Sequence, residues 1–257
     1  MKKIALFIIL LILTTSVVYL NRAYAYIYQE IHNANLKTPE KSQTYTISNN
    51  ISKTNLVYIA MGDSLTAGAG TENYQQTYPY LIAKNLAQNN SITLKNLSEL
   101  GYKSIDVKNF FLPQAVASNP NVATLLIGVN DIHNFVSKSE FQKNYEEIIK
   151  QLTTKTSAKI YLINIPYIGA NTLILPPWNY YFDFKTNQFN KIIKNLATKY
   201  NLSYIDLYSP AKEEFNHPTG DLPKGEKSNS YYSKDLFHPS ATGYALWANI
   251  IYANFNK

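Results

Sequence analysis

Beyond residue 55 the chain alternates short apolar runs with longer segments of helical spacing. Leu56–Met61 is a strand-length run closed by Gly62, and Tyr78–Ala87 then repeats apolar positions every three or four residues. Ile92–Leu97 reads as a second strand, followed by a helix within Ser104–Ala117. Val122–Ile127 is a continuous apolar run but for Thr124, the mark of a strand buried on both faces. Phe141, Tyr145, Ile148, Ile149 and Leu152 give the next helix its stripe. Ile160–Ile165, a helix over Gln188–Tyr200, a strand over Ser203–Leu207 and a helix over Ala241–Phe255 complete the series. Strand and helix repeated five times predict an α/β fold: a five-stranded parallel sheet with helices on both faces. Such sheets bind ligands beyond the carboxyl ends of their strands. Functional residues are therefore expected just after the apolar runs.

The N-terminal 54 residues follow another pattern. Lys2-Lys3 precede an apolar stretch from Ile4 to Leu20, which reads as an export signal rather than as part of the fold. Ile4–Leu13 suits the core of a signal peptide, and Ala23-Tyr24-Ala25 offers a cleavage site. The 17 residues from Ile4 to Leu20 also reach the lower edge of a membrane span. Residues 1–25 are thus a cleaved signal or a retained anchor, and both predict an outward-facing domain, secreted or tethered. Residues 26–54, polar and weakly periodic, read as a linker with a short helix around Tyr26–Ile31. Residues 55–257 form the globular domain.

Composition narrows the function. Of 257 residues, 46% are apolar and 16% charged, as in a chain that buries a full core. Net charge is +7, and removing Lys2, Lys3 and Arg22 would leave +4, scattered without a basic stripe. Nucleic acid is not an expected partner. The absence of cysteine excludes disulfides, thiol nucleophiles and thiolate metal sites.

The chemistry-bearing residues fall where the topology asks. Gly62-Asp63-Ser64-Leu65 follows the first strand, Gly101 the second, and Gly128-Val129-Asn130-Asp131 the third. Asp235-Leu236-Phe237-His238-Pro239 precedes the last helix. Ser64 is a candidate nucleophile at a strand-to-helix turn, where backbone N–H groups converge. His238 can take its proton at neutral pH, and Asp235, three residues earlier, can fix the imidazole tautomer. The Asn130 amide and the Ser64 and Gly101 backbone N–H groups are candidate oxyanion donors. No metal or organic cofactor is required by this set.

These four segments, in this order, resemble the GDSL or SGNH hydrolases, whose Ser, Gly, Asn and His fall on Ser64, Gly101, Asn130 and His238. The resemblance spans roughly residues 56–255. It implies a flavodoxin-like, three-layer α/β/α sandwich and an esterase, lipase or acylhydrolase working through an acyl-serine. Small-molecule, lipid or O-acylated glycan esters would be substrates. An envelope O-acyltransferase using the same triad and a non-catalytic glycan-binding module remain alternatives; oligomeric state is open. Asp63 reads as a structural turn residue and Asp131 as a cap for the helix that follows it. His133 reads as structural, and His32 and His217 as solvated. The aromatic insertion Asn171–Phe184 is either a cover for the sheet edge or a substrate wall carrying Trp178, Tyr180 and Tyr181. The polar insertion Ala211–Lys234 reads as a loop leading to the triad.

Overall fold

The computed structural model describes residues 2–36, 38–39, 44–48, 54–168, 173–216 and 231–255. Its centre is a sheet in the order β1-β3-β2-β4-β5-β6. The expected strands are β2 (Asn55–Gly62), β3 (Ser91–Ser98), β4 (Val122–Leu126), β5 (Lys159–Ile163) and β6 (Ser203–Ile205). All five run parallel. Their order is that of a flavodoxin-like sheet, whose switch point lies between the first two strands placed on opposite sides of the start, here β2 and β4. Tyr58–Gly62, Ala123–Leu126 and Ile160–Ile163 are buried without alternation, because helices cover both faces.

Helix α1 (Lys2–Asn33) precedes the sheet, and α2 (Ser64–Ala67) is a single turn after β2. On one face, α3 (Tyr78–Leu86) packs with α10 (Ala241–Tyr252). Between them in the chain come α4 (Ser104–Asp106), α5 (Leu112–Ala117), α6 (Val129–His133), α7 (Lys138–Lys155), α8 (Trp178–Lys199) and α9 (Tyr208–Asn216). Helix α7 packs with α5 and α8 over the opposite face. It starts where the Ser137 hydroxyl accepts from Glu140 N–H, and its expected stripe is fully buried. Ser240 caps α10 in the same way through Gly243 N–H.

The N-terminal segments differ from the expectation. Thr44–Ile47, within the supposed linker, forms β1 and pairs antiparallel with β3, so the sheet has a sixth strand at its edge. The short helix expected over Tyr26–Ile31 is the end of α1, which runs unbroken through the candidate cleavage site. Its two halves are unlike. Lys2–Tyr19 is exposed along its whole length, whereas Ala23 and Ile27 are buried against the domain. Domain contact begins at the exposed half's end: Tyr19 O–H donates to Pro176 O at 2.8 Å, and Trp178 Nε1–H donates to Leu20 O at 2.9 Å. Tyr24 then packs on Trp178, Phe182 and Phe135 and donates to His133 O at 2.7 Å. A hydrophobic helix face repeating at positions 23, 27 and 31 explains the docking.

Candidate active site

Ser64 opens α2 at the carboxyl end of β2, and Asn130 lies in α6 just past β4, the strand paired with β2 on the other side. The turn into α2 is tight. A Cβ on Gly62 would lie 2.1 Å from Thr66 Oγ1 and 2.4 Å from Leu126 O, so only glycine lets α2 fold back onto the strand end. Asp63 caps α2 with Oδ1, accepting from Leu65 N–H at 3.0 Å. Asn96 donates to Thr66 O, and Thr66 bonds the Tyr78 hydroxyl, fixing the turn from below.

The C-terminal segment meets this turn. Ser64 Oγ stands 2.9 Å from His238 Nε2, and His238 Nδ1 stands 2.5 Å from Asp235 Oδ2. The remaining Asp235 oxygen, Oδ1, accepts from Ser233 O–H (2.7 Å), His238 N–H (2.9 Å) and Phe237 N–H (3.0 Å). Burial raises the Asp235 carboxyl, but the bonds from His238, Ser233 and Phe237 outweigh it and hold it below its ordinary value. An ionised, fully bonded Asp235 favours the tautomer with the proton on Nδ1, which leaves Nε2 to accept from Ser64.

The candidate oxyanion residues are tied to one another. Asn130 donates through Nδ2 to Tyr102 O at 3.0 Å, next to Gly101, and its amide carries a second N–H. Gly101 has φ +76°, a conformation that favours glycine, and open space where a side chain would stand. Leu100 lines the same cleft as Asp235 and His238, which puts the Gly101 loop at the site's edge.

Asp131 has a different partner from the one expected. Its buried carboxylate crosses to the Gly101 loop, accepting from Ser104 N–H at 2.8 Å and Ser104 O–H at 2.5 Å. It thus clamps the loop to α6, where Asn130 resides. Burial pushes its carboxyl up, against the lowering effect of those two bonds. No local motif announces this contact, because the two partners are 27 residues apart.

Asp63 keeps the structural role expected of it, at an electrostatic cost. Among the described residues its buried Oδ2 has no partner, and desolvation, aided by Asp131, raises its carboxyl from 3.8 to about 7. The folded protein therefore binds the extra proton between those values. Stability contributed by this group is present at low pH and falls as pH rises toward 7. Asp63→Asn keeps an oxygen for Leu65 N–H and removes the buried charge. It is expected to raise Tm by several degrees at pH 8, with the gain shrinking toward pH 4 in calorimetric scans. An equal offset at both pH values would contradict this account.

His133 is structural in its packing. Its ring contacts Phe182 and Phe237, and Phe237 contacts His238, giving an unbroken row of rings from Tyr24 to the triad. Desolvation, with His238 nearby, lowers the His133 imidazole to about 4, and its Nε2 has no partner among the described residues. His32 is exposed but lies on the wall of the cleft beside His238. His217 falls outside the described residues, as does most of the Ala211–Lys234 insertion. In the aromatic insertion, Trp178, Tyr181 and Phe182 start α8, with the rings of Trp178 and Phe182 tilted against Tyr24 of α1, while Tyr180 is exposed. The cleft bounded by Tyr28, Ile31, Leu36, Leu100 and His238 encloses about 670 Å³.

Comparison with known proteins identifies the fold and the family. No curated protein sequence matches the chain. Among solved structures, the acetylxylan esterase Axe2 of Geobacillus stearothermophilus superposes with a TM-score of 0.61 at 17% identity. The match covers 78% of this chain and 94% of that one. A lipase/acylhydrolase of Enterococcus faecalis gives 0.61 at 20% identity, covering 77% of this chain and 94% of its own. At such identities the likeness shows the fold. Residues 60–246, which include Ser64, Gly101, Asn130, Asp235 and His238, match the family itself, and the chain belongs to the GDSL-like lipase/acylhydrolase family of ester-hydrolysing enzymes.

Proposed function

We propose that the protein is an extracytoplasmic serine ester hydrolase, acting through a covalent acyl-Ser64 on lipid or O-acylated carbohydrate esters. The observation that carries this reading is the hydrogen-bonded chain Ser64–His238–Asp235, which ends at the cleft. His238 Nε2 takes the Ser64 proton as Oγ attacks the ester carbonyl. Negative charge then develops on the carbonyl oxygen, where Ser64 N–H, Gly101 N–H and the free N–H of Asn130 are the available donors. The imidazolium gives its proton to the leaving alcohol, and the carbon–oxygen bond to that alcohol breaks. Water, deprotonated by the same imidazole, attacks the acyl-serine and releases the acid. Asp235 stays ionised throughout and stabilises the imidazolium.

The outward location rests on Lys2-Lys3 and the exposed half of α1, which is long and apolar enough to cross a membrane. From Lys2 to Tyr19 it extends about 27 Å, close to the ~30 Å hydrocarbon core of a bilayer. Tyr19 and Trp178 at its end suit the membrane interface, where amphipathic rings collect. Cleavage after Ala25 would cut α1 between its two buried residues, Ala23 and Ile27, which favours retention. The similar structures include an acetylxylan esterase and a lipase/acylhydrolase, so the fold accommodates both substrate classes.

A p-nitrophenyl ester series, from acetate to long acyl chains, tests the assignment with the full chain in detergent. Hydrolysis of at least one member, stopped by a serine-reactive fluorophosphonate, is expected. A folded protein inert to the whole series would contradict it.

A further inference from the structure

Helix α1 does more than lead the chain to a membrane. Its last turns border the cleft that holds His238 and Asp235, with Tyr28, Ile31 and His32 on the wall and Leu36 following in the next turn. Opposite them stand Leu100, next to the Gly101 loop, and Ala69, just past the α2 turn that carries Ser64. Asn33 and Asn35 also line the cleft, but Tyr28, Ile31, Leu36, Ala69 and Leu100 give it a mainly apolar surface beside a site built for polar chemistry. The helix is held there by specific contacts and not by its length alone. Ile27 is buried, Tyr24 grips the His133 carbonyl, and the Tyr28 ring meets His133 edge-on. Those contacts tie α1 to α6, the element that carries Asn130. An apolar surface of this kind is costly to leave in water and favours an apolar occupant.

We propose that the docked half of α1 is the specificity-determining wall of the active site, with Ile31 and Tyr28 receiving an acyl chain longer than acetyl. The inference rests on the serine-esterase reading and names the acyl half of its substrate. Ile31, Leu36 and Leu100 supply aliphatic contacts for the chain, and Tyr28 supplies a flat side. Because the wall belongs to the helix that enters the bilayer, pocket shape and membrane attachment are parts of one element. An acetylated glycan would draw nothing from this wall through its acyl group, which separates the two substrate classes.

The test uses the full chain in phosphatidylcholine nanodiscs, with p-nitrophenyl acetate and p-nitrophenyl octanoate as probes. Ile31→Ala is expected to lower the octanoate-to-acetate ratio of kcat/KM about tenfold, the scale of lost methylene contacts in an apolar pocket. Ile31→Trp, which fills the pocket, should lower the ratio further, and Ile31→Val should restore most of it. An unchanged ratio in both Ile31→Ala and Ile31→Trp would overturn the proposal, as would a wild type that turns over acetate alone. A parallel loss on both probes in Ile31→Val as well would assign Ile31 a purely structural role and overturn it too. Ser64→Ala runs alongside: turnover surviving in that variant would refute the serine-esterase reading itself, a result distinct from any of these.

Discussion

Ser64→Ala is expected to reduce ester turnover on the order of 10⁶-fold while leaving the fold intact. In the proposed mechanism the hydroxyl oxygen receives the acyl group, so its loss removes a bond-forming partner and not a binding contact. By transition-state arithmetic that is about 8 kcal/mol of barrier. Residual catalysis would come from the Asn130 and backbone donors alone. The structural consequence is small, since among the described residues Ser64 Oγ has one side-chain partner, His238 Nε2, and His238 itself lines the open cleft. Steady-state kinetics alongside a calorimetric scan would check both halves. Wild-type turnover, or a large loss of Tm, would each contradict the role assigned to this residue.

Asp235→Asn is expected to cost about 10⁴-fold in kcat, and the bonding pattern explains why. Three donors converge on Asp235 Oδ1: Ser233 O–H, Phe237 N–H and His238 N–H. An asparagine must keep its oxygen there, because an NH2 group would face three donors. Its amide nitrogen would then occupy the Oδ2 position, 2.5 Å from His238 Nδ1 in the native protein. There it can only donate, so Nδ1 must accept, and the ring proton moves to Nε2. Nε2 would then point a proton at Ser64 and could not act as its base. The distinguishing result is a large fall in kcat with an unperturbed fold and a KM near that of wild type. A loss confined to KM would point to substrate binding instead.

Much of this arrangement was legible before any coordinates. Nearly continuous apolar runs such as Val122–Leu126 signal strands covered on both sides, and the rule that ligands gather past strand ends points to Ser64 and Asn130. The pairing of Asp235 with His238 was visible in their three-residue spacing, because a turn brings such neighbours together. Contacts without a local signature were not legible. Asp131 and Ser104 belong to different loops, and only the packing of β2 between β3 and β4 brings those loops together. Strand β1 escapes the sequence reading because Thr44–Ile47 is only four residues long, lies within a polar stretch and sits at a sheet edge, where one partner and little burial suffice. The docked half of α1 had a signal that was passed over. Ala23, Ile27 and Ile31 recur every four residues, as do Tyr24 and Tyr28, but Ala23-Tyr24-Ala25 also fits a cleavage site and the polar stretch from residue 26 to 54 reads as a linker.

In the proposed mechanism Ser64 carries the acyl group between the two half-reactions. Rapid acid quenching of the full chain with excess p-nitrophenyl ester, followed by peptide mass analysis, would trap that intermediate. An acyl adduct is expected on the peptide containing Ser64, formed within the first turnover and absent in Ser64→Ala. An active enzyme with no adduct on that peptide, or with the acyl group on another residue, would contradict it.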